Sequence, residues 1–136
     1  MFSTLDISTS ALVAQRTNLN TIAGNVANMN SRDADGEPYR RRVALFSPGD
    51  PSSGSGAPGV HVAEIVESQE PFRLEYEPSD PHAIKSGPKE GYVQYSNVKY
   101  STEMVNAMMA TRIYEANVTV MEITKTMTAA SLRLLA

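Results

Sequence analysis

The chain contains no cysteine among its 136 residues. Disulfide bonds, thiol catalysis and thiolate metal ligands are therefore excluded, and the composition suits any redox compartment, including an oxidising one. The two histidines, His61 and His82, each lack a second histidine at ligand spacing, which argues against a zinc site. The sequence also lacks a glycine-rich phosphate loop, a nucleophile elbow and a cluster of metal ligands, so we expect no cofactor.

Long hydrophobic runs and a strong charge of one sign are missing as well. No apolar run approaches the roughly 20 residues of a membrane-spanning helix, so direct membrane insertion is not expected. Residues 1–10 lack the basic start and apolar stretch of a cleaved signal peptide, which predicts that any export uses another route. Lys and Arg number 12 against 15 Asp and Glu, and the formal net charge of −3 argues against a nucleic-acid partner.

What the chain does contain is a stripe of residues spaced alternately by three and four at each end. The first stripe comprises Leu5, Ser8, Leu12, Gln15, Leu19, Ile22, Val26 and Met29. The second comprises Met109, Ile113, Ala116, Val120, Ile123, Met127, Ala130 and Leu134. Such spacing places its residues on one seam of a helix and favours left-handed packing against another helix. The sequence therefore predicts two terminal helices that pair with each other through these seams.

The polar face of the first predicted helix, residues 4–29, carries almost no charge. Its side chains are amides and hydroxyls: Thr9, Ser10, Gln15, Thr17, Asn18, Asn20, Thr21, Asn25 and Asn28. A helix that faces solvent usually carries Lys and Glu there, whereas uncharged polar groups cost less to bury. The pattern fits either a charge-poor surface helix or packing between subunits, and we favour packing between subunits.

Between the helices, four short segments show the composition and alternation of strands. They are Tyr39–Phe46, Val60–Val66, Phe72–Tyr76 and Tyr92–Tyr95. Residues 47–59 are rich in Gly, Pro and Ser and predict a flexible exposed loop, and the prolines of residues 78–91 predict a second irregular stretch.

The fold class predicted from these patterns is α+β. Long N- and C-terminal α-helices pair as an antiparallel coiled-coil-like hairpin, with a small β-rich insert between them. In this interpretation residues 1–31 and 101–136 form a terminal helical assembly domain, and residues 32–100 form the insert.

Three clusters of charged residues in the insert have simple structural interpretations. Residues 33–37, DADGE, lack the ligand spacing of a calcium loop, so they predict a tight turn. Residues 40–42 are three arginines whose side chains alternate across a strand, which predicts a solvated strand edge. Glu75 and Glu77 would share a strand face as a pair of hydrolase carboxylates would, but nothing places a substrate cleft around them.

Several segments resemble a known family. The first helix carries LNTIAGNVANMNS at residues 19–31, which resembles the L-x-x-I-A-x-N-x-A-N-x-x-T segment of bacterial flagellar axial proteins, the rod and hook subunits. NVKYSTEMVN at residues 97–106 and RIYEANV at residues 112–118 resemble segments of proximal rod proteins of the FlgC type. Ser31 and Lys99 depart from the pattern, where Thr and Asp are usual. The resemblance extends over nearly the whole chain.

The resemblance implies a structural subunit of the flagellar proximal rod and not an enzyme. Such subunits are exported unfolded by the flagellar type III apparatus, without a cleaved signal peptide. In the periplasm they assemble with copies of themselves and with other rod proteins into a helical tube around the export channel, which transmits torque. The alternatives are another rod or hook-junction subunit, and a soluble coiled-coil adaptor that would keep charged outer faces and fold alone.

We expect the assembly interface to combine the two seams with the motif residues of both helices. It comprises Leu12, Leu19, Ile22, Asn25, Val26, Asn28, Met109, Ile113, Tyr114, Glu115, Ala116, Asn117, Val120, Ile123, Met127 and Leu134.

Overall fold

The computed structural model describes residues 2–49 and 58–135, which form two long helices with two small antiparallel sheets between them. This confirms the predicted α+β class. Helix α1 spans Phe2–Asn28 and helix α2 spans Tyr100–Leu135. The strands are β1 (Arg42–Pro48), β2 (Val60–Glu67), β3 (Arg73–Tyr76) and β4 (Tyr92–Tyr95). Most of the loop predicted at residues 47–59 lies outside the described residues.

The two helices pack side by side in antiparallel directions. The side chain of Asn25, near the end of α1, bonds to that of Glu103, near the start of α2. Helix α1 has 27 residues and α2 has 36, so this register places Phe2 opposite about residue 126. The last nine or so residues of α2 therefore extend roughly 14 Å beyond the start of α1.

The helices do not pair through both predicted seams. The α1 seam does face inward, and Ile22 is buried. On α2 the buried residues are Glu103 and Ala110, while Met109 and Ile113 of the predicted seam are exposed. At 100° per residue, the predicted seam of α2 lies about 110° around that helix from the face that packs on α1. The prediction that α2 pairs with α1 through its apolar seam is therefore wrong.

The face of α2 that packs on α1 is a different one. It includes Glu103 and Ala110, which are buried, and Tyr114 and Asn117, which are half-buried. The large Met and Ile side chains of the predicted seam point away from this face. The apolar seam thus remains on the surface of the chain.

The first sheet is a hairpin that packs against α1. Strands β1 and β2 pair antiparallel from Arg42 opposite Glu67 to Pro48 opposite Val60, with an irregularity between Leu45 and Phe46. The backbone N–H of Val60 donates to Oγ of Ser10 in α1 at 3.1 Å. The backbone N–H of Gly49 donates to the carbonyl of Gly59 at 2.9 Å, which closes the base of the hairpin loop.

The second sheet pairs β3 with β4 antiparallel, from Arg73 opposite Tyr95 to Tyr76 opposite Tyr92. Val93 is its most buried residue. The guanidinium of Arg32 donates to the carbonyls of Gly36 and Gln94 and so ties this sheet to the segment that follows α1.

The tight turn predicted at residues 33–37 is confirmed. The backbone N–H of Gly36 donates to the carbonyl of Asp33 at 3.0 Å, and the N–H of Glu37 donates to Oδ1 of Asp33 at 3.0 Å. The irregular stretch predicted at residues 78–91 contains only turns and bends.

The insert depends on a glycine just before β4. Gly91 has a φ of +81°, and a Cβ at this position would lie 2.7 Å from Cε2 of Tyr76. Gly91→Ala is therefore expected to destabilise the insert by ~1–2 kcal/mol, since a left-handed backbone disfavours any Cβ. Urea unfolding followed by tyrosine fluorescence measures the loss.

Gly24→Ala serves as the matched control. Gly24 lies inside α1, and a Cβ there would meet nothing within 4 Å. Alanine in a helix is favoured over glycine by roughly 0.5–1 kcal/mol, so this variant should be slightly more stable than the parent. Equal unfolding midpoints for the two variants would contradict the strain assigned to Gly91.

Candidate assembly interface

A buried polar junction joins α1, β1 and α2. Asn25 is 1% exposed and Glu103 is fully buried. The amide nitrogen of Asn25 donates to Oε2 of Glu103 at 3.0 Å and to the carbonyl of Arg42 at 2.8 Å, while its oxygen accepts the N–H of Arg42 at 2.9 Å. The Asn25 side chain therefore pairs with the first residue of β1 through both an acceptor and a donor, as the backbone of a neighbouring strand would.

An arginine neutralises the buried carboxylate. Nε of Arg41 donates to Oε1 of Glu103 at 2.7 Å, and the backbone N–H of Arg41 donates to Oδ1 of Asn97 at 2.7 Å. Within the part of the chain that the structure describes, no buried side-chain nitrogen or oxygen lacks a hydrogen-bond partner. The junction is thus a fully satisfied network, the condition under which a buried charge pair is tolerated.

The prediction that residues 40–42 form a solvated strand edge is wrong for Arg41. Its guanidinium enters the junction, while Arg40 lies 4.1 Å from the ring centre of Phe72 and Arg42 lies 5.7 Å from that of Tyr39. The alternation of the three side chains explains the difference, since Arg41 points away from its two neighbours toward the helices.

A tyrosine and an asparagine complete the network. The hydroxyl of Tyr39 donates to Oδ1 of Asn25 at 3.1 Å, and burial raises the pKa of this phenol. The side-chain amide of Asn97 donates to the carbonyl of Glu70 at 3.0 Å. Asn25, Asn97 and Glu103 all belong to the segments that carry the family resemblance, so those segments meet in one place.

Little in the sequence indicates this junction. Asn25 belongs to the uncharged face that suggested burial, and it is buried, but inside its own chain. Glu103 falls within the motif at residues 97–106, and no pattern around it predicts a partner. Its contact with Arg41 joins residues 62 positions apart, and neither local periodicity nor charge counting identifies such a pair.

The predicted interface residues of α1 lie mostly within the folded chain. Ile22 and Asn25 are buried, and Leu12, Leu19 and Val26 are half-buried. Asn28 is exposed at the end of the helix, where its amide donates to the carbonyl of Gly24 at 2.9 Å.

The predicted interface residues of α2 divide among three faces, and Glu115 lies on the polar face described below. Tyr114 and Asn117 are half-buried on the side that packs on α1. The remaining apolar ones are exposed, from 41% for Val120 to 88% for Leu134. We call them the exposed stripe: Met109, Ile113, Ala116, Val120, Ile123, Met127 and Leu134.

From residue 111 onward, a polar face occupies the third side of α2. At 100° per residue, it lies about 120° from the exposed stripe and about 120° from the side that packs on α1. It comprises Thr111, Glu115, Glu122, Thr126 and Arg133, all exposed. Helix α2 thus has three distinct sides, one packed on α1, one apolar and open, and one polar and open.

A groove of about 1010 Å³ runs between the first half of α1 and strand β2. We call it the α1–β2 groove. Its apolar lining includes Val13, Val60 and Ile65, and the carboxylates of Asp6 and Glu64 also border it.

The two carboxylates considered as a hydrolase pair have structural partners. Glu75 forms an exposed ion pair with Arg73 at 3.2 Å, and Glu77 accepts the hydroxyl of Tyr95 at 3.1 Å. Desolvation and the hydrogen bond to Glu77 raise the pKa of Tyr95. Nearby, the backbone N–H of His82 donates to Asp80 and lowers the pKa of that carboxyl.

Residues 2–49 and 58–135 hold neither a candidate metal site nor a membrane-spanning helix. No three His, Asp or Glu side chains are grouped as a metal ion would require. Neither described helix combines the length and hydrophobicity needed to cross a membrane.

Comparison with known proteins defines the class. The family described as "Flagella basal body rod protein" matches residues 5–31, and the family described as "Flagellar basal body rod FlgEFG protein C-terminal" matches residues 89–134. Together with the paired terminal helices, these matches define a structural protein of the flagellar basal-body rod.

Full-length relatives narrow the assignment. The chain is 38% identical to the flagellar basal-body rod protein FlgC of Borreliella burgdorferi, over 99% of this chain and 97% of that one. It is 42% identical to FlgC of Salmonella typhimurium and to FlgC of Bacillus subtilis, in both cases over 93% of this chain and 92% of the relative. The chain belongs to the FlgC family of rod proteins.

The buried junction is expected to dominate the stability of the chain. Glu103→Ala would leave Arg41 and Asn25 without their buried partner, and breaking a buried ion pair in this way costs ~3–5 kcal/mol. Glu75→Ala removes a carboxylate from an exposed pair and should cost at most ~1 kcal/mol. Urea unfolding of the two variants compares these losses directly, and similar losses would show that the junction is not what holds the helices and β1 together.

Proposed function

We propose that this chain is a subunit of the flagellar proximal rod, and that it polymerises through its terminal helices into a helical tube around the export channel. The tube transmits torque, and the subunit reaches the periplasm through the flagellar type III export apparatus. Its partners are copies of itself and other rod proteins. The exposed stripe of α2 is the observation that carries this proposal.

The stripe has the geometry of a helix contact, and its large side chains are exposed among the described residues. Its 3-4 spacing suits left-handed packing against another helix, and α1 already occupies a different side of α2. Burying each large apolar side chain stabilises a contact by ~1.5–3 kcal/mol, so a stripe along most of a 36-residue helix favours association strongly. Large exposed apolar patches of this kind mark interaction sites.

We infer that the contact made by this stripe joins unlike surfaces. If the stripe of one subunit packs on a different surface of the next, the contact repeats along the assembly without closing on itself, which builds filaments and tubes. The family assignment supports this outcome, because relatives of nearly the same length are named as parts of the basal-body rod.

The adaptor alternative fits the surface of α2 less well. A soluble coiled-coil adaptor that folds alone would carry charged residues on both open sides of this helix. Here only the polar face does so, whereas Ile123 and Met127 on the other open side are 54% and 60% exposed.

The buried junction suits the transmission of torque. Asn25, Arg41 and Glu103 fasten both helices and β1 at the insert end of the helix pair. A load applied to the insert would therefore reach both helices together and would not open the space between them.

A charge placed in the exposed stripe tests the proposal. Ile123→Asp puts a carboxylate on a side that is open in the single chain but buried in the assembly, at a cost of several kcal/mol unless the group is neutralised. We expect loss of rod assembly and of swimming, with export of the subunit retained. Swarm diameter and the amount of subunit in isolated basal bodies measure these effects.

Thr126→Asp is the matched control. Thr126 is exposed on the polar face, about one turn along the same helix, and a like charge near Glu122 costs only a few tenths of a kcal/mol. This variant should swim almost normally. Normal swimming by Ile123→Asp, or equal loss in both variants, would reject the stripe as the assembly surface.

A further inference from the structure

We propose that the α1–β2 groove receives the C-terminal end of α2, residues 127–135, from a second copy of this chain. This inference rests on the proposed function and assigns one specific contact within the assembly. Four observations support it: the overhang of α2, the size of the groove, the chemistry of both surfaces and the distance between them in one chain.

Most of the end of α2 is exposed in the described part of the chain. Because α1 begins opposite about residue 126, the last two and a half turns of α2 extend past it. Residues 129–134 are all exposed, and Leu132 and Leu134 are 62% and 88% exposed. Exposed apolar side chains on a projecting helix end favour association with another surface.

The groove matches the overhang in size. A helix ~10 Å in diameter and ~13 Å long occupies about 1000 Å³. The groove measures about 1010 Å³, and the overhang is roughly 14 Å long. One groove can therefore hold the whole projecting segment.

The two surfaces are complementary in polarity and charge. The groove offers Val13, 62% exposed, and Ile65, 45% exposed, to the leucines of the helix end. Asp6 and Glu64 border the groove, and neither forms an ion pair among the described residues. Arg133 is the one charged residue of the overhang, so its guanidinium can reach these carboxylates when the leucines are inserted.

The contact must form between chains. Within one chain the centre of the overhang lies roughly 20 Å along the helix axis from the centre of the groove, at 1.5 Å per residue. A second copy displaced by about that distance brings its helix end over the groove. The same contact then repeats from copy to copy, which is the head-to-tail pattern of an open assembly.

Cysteine cross-linking tests this contact on a chain that has no cysteine of its own. Two full-length copies with different tags are produced together in cells that lack the parental copy. One carries Val13→Cys and the other Leu132→Cys. Basal bodies are isolated and oxidised, and we expect a dimer that carries both tags. Such a bond requires the two Cα atoms to lie within about 7 Å of each other, so it reports direct contact.

Ala23→Cys replaces Val13→Cys in the control pair. Ala23 is also exposed on α1, but it lies ten residues, or about 15 Å, beyond Val13 and outside the groove. This pair should give at least ~10-fold less of the two-tag dimer because the distance is too long to bridge. Ile65→Cys with Leu134→Cys repeats the test with substitutions in β2 and in a different residue of the helix end.

The outcomes separate this inference from the proposed function. Both tags in the basal bodies with no two-tag dimer from either groove pair would overturn the inference and leave the rod assignment standing. Equal dimer from the control pair would also overturn it. A tagged copy without any cysteine substitution is produced in the same cells as a reference. If this copy is absent from the isolated basal bodies, the proposed function is rejected instead.

Discussion

The buried carboxylate of Glu103 is the constraint on which the arrangement of this chain depends. Removing a charge from water costs several kcal/mol, and this cost is offset only when partners of good geometry surround the charge. Here the partners are Arg41, just before β1, and Asn25 from α1. All three segments must be in place together, so the network selects one register between the helices. Sliding α2 by one turn would leave a buried charge without a partner.

The chain divides its side chains between two tasks. Asn25 of α1 and Ala110 of α2 are buried, and Asn25 sets the register of the helices through its bond to Glu103. Most of the large apolar groups of α2 remain exposed. The polar network therefore specifies how the elements of one chain are arranged, while the exposed apolar groups leave the hydrophobic effect available for association.

Local patterns were enough to predict the elements, but not the contacts between them. The alternating spacing of three and four residues, together with the turn residues, predicted the ends of both long helices to within a few residues. Strand β4 was predicted at its observed bounds. The partner of each helix face was not accessible in this way. An apolar stripe indicates that a surface will be buried, yet it does not say whether the partner is in the same chain. The most buried α1-facing residues of α2, Glu103 and Ala110, are charged or small, so a search for hydrophobic periodicity overlooks them.

The backbone hydrogen bond between Gly49 and Gly59 at the base of the β1–β2 hairpin allows the connecting segment to vary in length. The bond between Gly49 and Gly59, with His61 Nδ1 2.8 Å from the carbonyl of Gly49, fixes where the two strands part. Residues inserted between them would not shift the strand register, and doubling a loop costs only ~0.6 kcal/mol. Alignment with the Borreliella burgdorferi relative extends over 149 positions, more than the 136 residues of this chain, so the pair already differs in length somewhere. Evolution can thus reshape the outer contour of such a subunit without disturbing its helices, and an experimenter can use the same loop to carry a fluorescent label.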